Sequence, residues 1–275
     1  MAFHRKRKIL MVGTDLDTKG GVSAVVRQYL SSSLKDHHQI RYITSHKDGK
    51  KSEKIIAALK GYALFLYHIL FFHPDLVHIH GASRGSFYRK ALFILLAKGF
   101  GIKVLYHLHG GEFMLFFHQE SGWPMRKWIR WILRKPDLIL TLSDAWKKNL
   151  LSIDENLKIK VLPNPVVTPM MSHSIIDKEP VTILFMGRIV PQKGISDLMN
   201  AASILAARAL PFEMIFHGEG DSDRFMEMRR EKGLDEQIHF KGWVDGLEKE
   251  AVYGNAHIFV LPSYNERLPM GSPSL

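Results

Sequence analysis

Two cations bracket one short loop in the second half of the chain. Gly187-Arg188 follows the apolar run Thr182 to Met186, and Lys193-Gly194 lies five residues on, immediately before a helical pattern. Arginine offers a planar fork of donors and lysine a flexible point charge, a pairing suited to two linked phosphates whose departure needs growing negative charge neutralised. The competing reading is a solvated loop with ordinary surface charge. In the first half, Gly20-Gly21 stands directly before another helical pattern, where free backbone donors and the helix dipole favour an anion and the absence of Cβ atoms allows close approach. A tight turn would use the same pair. The spacing lacks the dinucleotide fingerprint, which argues against a nicotinamide cofactor. His217-Gly218-Glu219-Gly220 closes one strand-like run, and Pro262-Ser263-Tyr264-Asn265-Glu266 follows the last one.

These residues need a scaffold that presents loops at strand ends, and the chain supplies its pattern. Short β-rich runs alternate with longer helical ones. Ile9 to Gly13, Ile40 to Thr44, Leu76 to His80, Lys103 to His107, Leu138 to Leu142 and Ile159 to Leu162 read as strands, with helices over Val22 to Ser32, Glu53 to Phe72 and Phe87 to Phe100 between them. Alternation stops at Pro163-Asn164-Pro165 and the polar stretch to Pro180, because proline removes backbone donors. It restarts with strands Thr182 to Met186, Glu213 to His217, Gln237 to Phe240 and Ile258 to Leu261, and helices Ser196 to Arg208, Asp223 to Lys232 and Glu248 to Tyr253. The expectation is two α/β domains with parallel sheets, 1–165 and 181–275, joined by a linker over 166–180. Ligands of such sheets bind beyond the carboxyl ends of the strands, where every loop named above falls.

Composition narrows the partners. The absence of cysteine excludes disulfides, thiolate metal sites and thiol nucleophiles. Residues 1–170 carry 27 Lys/Arg against 12 Asp/Glu, a net +15, while 171–275 carry 11 against 15, a net −4. A basic half concentrates polyanions, whether an anionic membrane surface, a phosphate-rich acceptor or nucleic acid. No nucleic-acid recognition motif accompanies the charge, so that partner is not expected. The apolar run behind the basic N-terminus, Ile9 to Val12, is too short for a signal-peptide core. Tyr62 to Phe72 falls short of the roughly 20 residues that span a bilayer, so no membrane-crossing helix is expected.

The order and spacing of the second-half motifs, from Gly187 to Glu266, closely resemble the retaining glycosyltransferases of family 4, and the resemblance extends over essentially the whole chain. It implies a GT-B-like fold of two Rossmann-like, doubly wound domains with the donor between them. It also implies retaining transfer of a hexose from a UDP- or GDP-sugar to a hydroxyl of a polysaccharide or a lipid-linked glycan, without cofactor or metal. By that resemblance Arg188 and Lys193 hold the donor pyrophosphate, the Gly20-Gly21 loop meets it from the first domain, and Gly218 and Gly220 belong to the donor loop. The backbone at Gly242 to Val244 faces the base, and Glu266 binds sugar hydroxyls. His109, in Leu108-His109-Gly110-Gly111, corresponds to the active-site histidine beside the transferred sugar. His107 reads as a strand residue, and the remaining histidines show no zinc-ligand spacing.

The chain departs from the family at one end. A second motif glutamate belongs eight residues after Glu266, where Ser274 stands, and Arg267 replaces a usual glycine. Gly271-Ser272-Pro273-Ser274 is poor helix material where an apolar helix start is typical. This reads as a second domain left incomplete, with a non-catalytic truncated remnant as the alternative to an active enzyme. Finally, Trp123, Trp128 and Trp131 interleave with Arg126, Lys127, Arg130, Arg134 and Lys135, a spacing that permits an aromatic stripe beside a basic one. The expected location is the cytoplasm, with a peripheral contact at the inner face of the cell membrane; a buried apolar face with a solvated basic one would show the same spacing.

Overall fold

In a computed structural model that describes residues 5–18, 20–165, 179–244 and 246–264, the chain divides into two compact units, Met1–Pro165 and Val166–Leu275. Unit 1 runs β1 (Lys8–Gly13), α1 (Gly21–Ser31), α2 (Leu34–His37), β2 (Gln39–Thr44), α3 (Lys51–Phe72), β3 (Leu76–Gly81), α4 (Gly85–Gly99) and β4 (Lys103–Leu108). It continues with α5 (Phe113–Leu115) and a π-helical turn (Phe116–Glu120), α6 (Trp123–Leu133), β5 (Leu138–Thr141), α7 (Asp144–Ile153) and β6 (Ile159–Val161).

The six strands form one parallel sheet in the order β2-β1-β3-β4-β5-β6. Covered on both faces, the central strands are apolar along their whole length rather than alternating, and Leu10, Val12, Val77, Ile79 and Val104 are fully buried. The chain moves from β1 outward to β2, then returns past β1 to β3 and proceeds the other way. The order therefore reverses between β1 and β3, the place where open parallel sheets leave a crevice at their carboxyl ends.

Among the helical segments without an expectation from the sequence are α7 and the π-helical turn. α7 starts where the Ser143 hydroxyl accepts a hydrogen bond from the Trp146 N–H, 3.4 Å, and Trp146, Leu150 and Ile153 give it one buried side. The π-helical turn buries Phe116 and Phe117 beside Phe113. α3 is the helix expected over Glu53 to Phe72; with 22 residues it is long and apolar enough, by length and composition alone, to cross a membrane. Its apolar window is mostly exposed.

Unit 2 contains β7 (Val181–Met186), a 3-10 turn (Pro191–Lys193), α8 (Ile195–Ala207), β8 (Phe212–His217), α9 (Ser222–Glu231), β9 (Ile238–Gly242), α10 (Gly246–Gly254) and β10 (Ile258–Phe259). Its four strands are parallel in the order β10-β7-β8-β9. Phe185, Met199, Phe216, Phe225 and Ile238 centre its core between sheet and helices.

Candidate functional site

In unit 2 the loops that leave β7 and β8 are joined backbone to backbone. The Gly187 N–H donates to His217 O at 2.9 Å, the Ile189 N–H to Glu219 O at 2.8 Å, and the Asp221 N–H returns to Ile189 O at 3.1 Å. The glycines are required by this closeness. A Cβ on Gly218 would lie 1.8 Å from Gly187 O, and one on Gly220 would lie 2.2 Å from Ile189 O. The third loop joins through the Gly218 N–H, which donates to Gly242 O at 2.8 Å at the end of β9. His217 is buried beneath, its Nδ1 3.2 Å from the same carbonyl, and burial lowers its pKa while that contact opposes the shift.

The fourth loop arrives after β10. The Tyr264 N–H donates to Gln192 O at 3.0 Å, and its hydroxyl donates to Asp197 of α8 at 2.7 Å. Gly194 makes this possible: it turns into α8 with φ of 69°, and a Cβ there would lie 2.4 Å from Pro262 O. The carboxyl ends of all four strands thus present one rigid rim. Arg188 stands exposed on it with no ion pair among the described residues, and Lys193, half-buried, ends the 3-10 turn. Val244 packs its side chain inward against Leu184 and Met186, leaving only its backbone for a ligand. Glu266 and Ser274 lie outside the described residues.

In unit 1 the Gly20-Gly21 pair begins α1, whose first turn has no acidic residue. A Cβ on Gly20 would meet nothing within 4 Å among the described residues. The Ser23 hydroxyl donates to Gly20 O at 2.8 Å and is itself buried. His109 follows β4, its N–H donating to Gly81 O at 2.8 Å, and its Nε2 lies 2.9 Å from Nδ1 of His80. The loops after β1, β3 and β4 therefore gather where the strand order reverses. A Cβ on Gly110 would lie 2.8 Å from the Ser83 nitrogen, so glycine there lets the last two loops touch.

Behind His109 stands a stack of imidazoles that the sequence reading left out. His78 and His80 of β3, His107 of β4 and His109 just after it lie on one side, since His80 and His107 are direct partners in the parallel register and the four rings stack. Ring centroids are 4.0 Å apart for His107 and His109 and 4.2 Å for His78 and His80. Tyr29 of α1 covers them, 5.8 Å from His78. Burial, reinforced by mutual proximity, lowers the pKa of His78 to about 3, burial lowers that of His107 to about 4, and burial holds His80 and His109 well below the usual value. The rings are neutral near neutral pH. One nitrogen of the His80–His109 pair carries the shared proton, so each ring dictates the tautomer of the other.

One nitrogen from each of His78, His80 and His107 lies within 4.8 Å of the others, and zinc–nitrogen bonds of about 2.0–2.1 Å need tetrahedral donors roughly 3.4 Å apart, so a shared ion would require the rings to converge on it. The His78 and His107 planes are within 9° at 5.7 Å, so their in-plane lone pairs run side by side instead of converging.

Two further residues act near this rim. Arg84 pairs with Glu112 and Glu120, tying the loop after β3 to the segment after His109. Lys90, fully buried, donates to Gly13 O at 3.1 Å and contacts Ser45 below the first loop; burial and then Arg89 hold its pKa well below the usual lysine value. A sequence signal for the stack did exist: His78-Ile79-His80-Gly81 and His107-Leu108-His109-Gly110 repeat one pattern at the ends of two strands.

The model of Glycosyltransferase Family 4 matches residues 19–168, and that of Glycosyl transferases group 1 matches residues 169–271. An "Uncharacterized 41.2 kDa protein in cps region" of Klebsiella pneumoniae is 23% identical over 269 residues, covering 89% of this chain and 72% of that protein. WaaG, a glycosyltransferase involved in lipopolysaccharide biosynthesis, superposes with a TM-score of 0.64 at 14% identity, covering 94% of this chain and 75% of that one. A variant of S. aureus TarM in complex with UDP superposes at 0.54 and 17% identity over 74% of this chain and 40% of its own. At these identities the likeness is one of fold, and that fold is GT-B.

Proposed function

The chain belongs to glycosyltransferase family 4, and from that premise we propose that it moves a hexose from a nucleotide-diphosphate sugar to a hydroxyl of a polysaccharide or glycolipid precursor, with retention at the anomeric carbon. That it is a glycosyltransferase follows from the family; donor, stereochemistry and acceptor are the proposal. One observation carries it most directly: the hydrogen-bonded rim of four loops in unit 2, which holds Arg188 and Lys193 on either side of one turn.

In this reading the bond from the sugar's anomeric carbon to the diphosphate oxygen breaks, the acceptor oxygen bonds to that carbon, and the acceptor proton leaves with the diphosphate or to solvent. Negative charge grows on the leaving diphosphate. Arg188 and Lys193 stabilise it more in the transition state than before, which is what raises the rate. The N–H groups at Gly20 and Gly21 add donors for phosphate, and the backbone of Gly218, Gly220 and Val244 lines the donor side. His109, neutral and fixed in one tautomer by His80, offers a hydrogen bond to the transferred sugar without adding charge, and Glu266 binds its hydroxyls. UDP or GDP serves as the nucleotide, the UDP-bound TarM structure favouring the former. Neither metal nor cofactor takes part. The acceptor is a glycan or a lipid-linked glycan, approached at the cytoplasmic face of a membrane that α6 touches through Trp123 and Trp131.

The test is a panel of UDP- and GDP-sugars screened for thermal stabilisation, then for diphosphate release and, by NMR of the product, for the anomeric configuration. A ligand at about 100 times its dissociation constant adds roughly 2.7 kcal/mol, a clear rise in midpoint. No stabilisation by any member, or an inverted product, sinks the proposal.

A further inference from the structure

α3 has two apolar sides, and the fold uses one. Phe65, Ile69 and Phe72 are buried against the sheet and α4, and Gly61 fixes the contact: a Cβ there would lie 2.8 Å from Thr44 O at the end of β2. The rotation of the helix about its axis is thereby set. On the opposite side Ile56, Leu59, Leu66, Tyr67, Leu70 and Phe71 remain 36–69% exposed. Their spacing of three, four and seven residues makes a second continuous stripe. Six side chains about half in water, each with roughly 60–120 Å² of apolar surface, leave on the order of 300 Å² uncovered, the size at which a single patch is usually functional. Tyr88 and Leu92 of α4, which packs beside α3, are exposed as well and widen it.

Charge identifies the occupant. Lys50, Lys51, Lys54 and Lys60 stand exposed at the N-terminal end of the stripe, none of them ion-paired among the described residues, and Glu53 is the one acidic residue between 51 and 72. Long cationic side chains beside an apolar stripe suit a surface that is oily inside and anionic at its boundary, since each lysine can lay its stem on the apolar part and reach the headgroups. The α6 segment repeats the combination in the same helix layer: Lys127 lies 3.8 Å over the ring of Trp123 and Lys135 lies 4.3 Å over that of Trp131, both rings exposed. We infer that the outer stripe of α3 is a docking surface for an anionic lipid bilayer, on which the helix lies flat without crossing it. Crossing is opposed by Phe65, Ile69 and Phe72, whose removal from the core would unfold unit 1. The inference deepens the membrane contact proposed for α6 and assigns its main anchor to a different helix.

The test needs neither donor nor acceptor, so it succeeds or fails independently of the transfer reading. The whole chain is sedimented with vesicles of phosphatidylcholine and with vesicles of equimolar phosphatidylcholine and phosphatidylglycerol. Binding to the second, weakened by added salt, is expected. Leu59→Ser with Leu70→Ser should reduce binding roughly tenfold to hundredfold with an unchanged circular dichroism spectrum and urea midpoint, because both side chains lie outside the packed core. Lys51→Glu with Lys54→Glu should remove the preference for phosphatidylglycerol, and this variant keeps the question open to test should the serine pair misfold. Three results would overturn the inference: no binding to either vesicle, loss of binding with Trp123→Ser and Trp131→Ser but not with the α3 variants, or α3 variants that alter only oligomeric state in light scattering. The last would assign the stripe to a second copy of the chain.

Discussion

Acidification should unfold unit 1 through its histidine stack, well above the pH at which carboxylates matter. An unfolded histidine titrates near 6.5, whereas His78 and His107 in the folded chain titrate near 3 and 4. Between those values the unfolded chain binds protons that the folded chain refuses, so stability is full above 6.5 and falls as pH decreases, until the folded pKa is reached. At about pH 5 the cost is RT times the logarithm of the ratio of the two binding polynomials, about 2 kcal/mol for each ring and about 4 kcal/mol for both. His80 and His109 shift the same way and add to it. Against a total of roughly 5–15 kcal/mol, this is a large fraction. The assay is urea unfolding followed by tryptophan fluorescence from about pH 7 to about pH 5, dominated by Trp123, Trp128, Trp131 and Trp146 of unit 1. At a slope near 2 kcal/mol per molar, the midpoint should fall by about 2 M. Replacing His78 and His107 together by Leu should flatten the profile in this window even if absolute stability changes. A wild-type midpoint that is constant between about pH 7 and about pH 5 would show that the rings are not held neutral by burial, and the argument for a tautomer-fixed His109 would go with it.

On the proposed reading, in which both cations stabilise developing charge, Arg188→Ala and Lys193→Ala should each cost about 10²–10³ in transfer rate while leaving the unfolding free energy within about 0.5 kcal/mol; unchanged turnover in both removes the phosphate assignment. Gly194→Ala should destabilise unit 2 by about 1–3 kcal/mol and weaken donor affinity, because a Cβ at φ of 69° and 2.4 Å from Pro262 O forces the first and fourth rim loops apart; a neutral effect on unfolding followed by Trp243 fluorescence would contradict it. Lys90→Met should retain the fold, since the Ser45 hydroxyl still donates to Gly13 O at 2.6 Å. Lysine that is neutral when buried but protonated when unfolded makes wild-type stability rise with pH up to the ordinary lysine range, so the wild-type midpoint should climb between about pH 7 and about pH 10 by more than that of the Met variant; parallel profiles would show Lys90 charged in the fold.

What could be read in the sequence was what lies within one segment. The strands leading to Gly13, Gly187 and Gly218 are apolar runs closed by glycine, and Arg188 and Lys193 share a single loop, so both the alternating architecture and the paired cations are local facts. The extent of α3 is local too, and the helix expected over Glu53 to Phe72 nearly coincides with it. α7 was missed because it is short and its apolar residues Trp146, Leu150, Leu151 and Ile153 are interrupted by Lys147, Lys148 and Asn149. None of those misses moves a site residue.

The histidine stack is a different kind of omission, because its meaning depends on a pairing between segments 29 residues apart. Each His-x-His doublet alone says only that two rings point to one side of a strand. The doublets become one unit because β3 and β4 are adjacent and in a register that sets His80 beside His107, and that adjacency follows from the chain reversing direction between β1 and β3. At the same reversal the loops after β1 and β3 leave neighbouring strands at the carboxyl end of the sheet. Topology thus brings His109 and the start of α1 to the carboxyl end of one sheet, from residues that are remote in sequence. Burial then keeps the rings neutral near neutral pH, so a histidine at this end of the sheet can hydrogen-bond without adding charge.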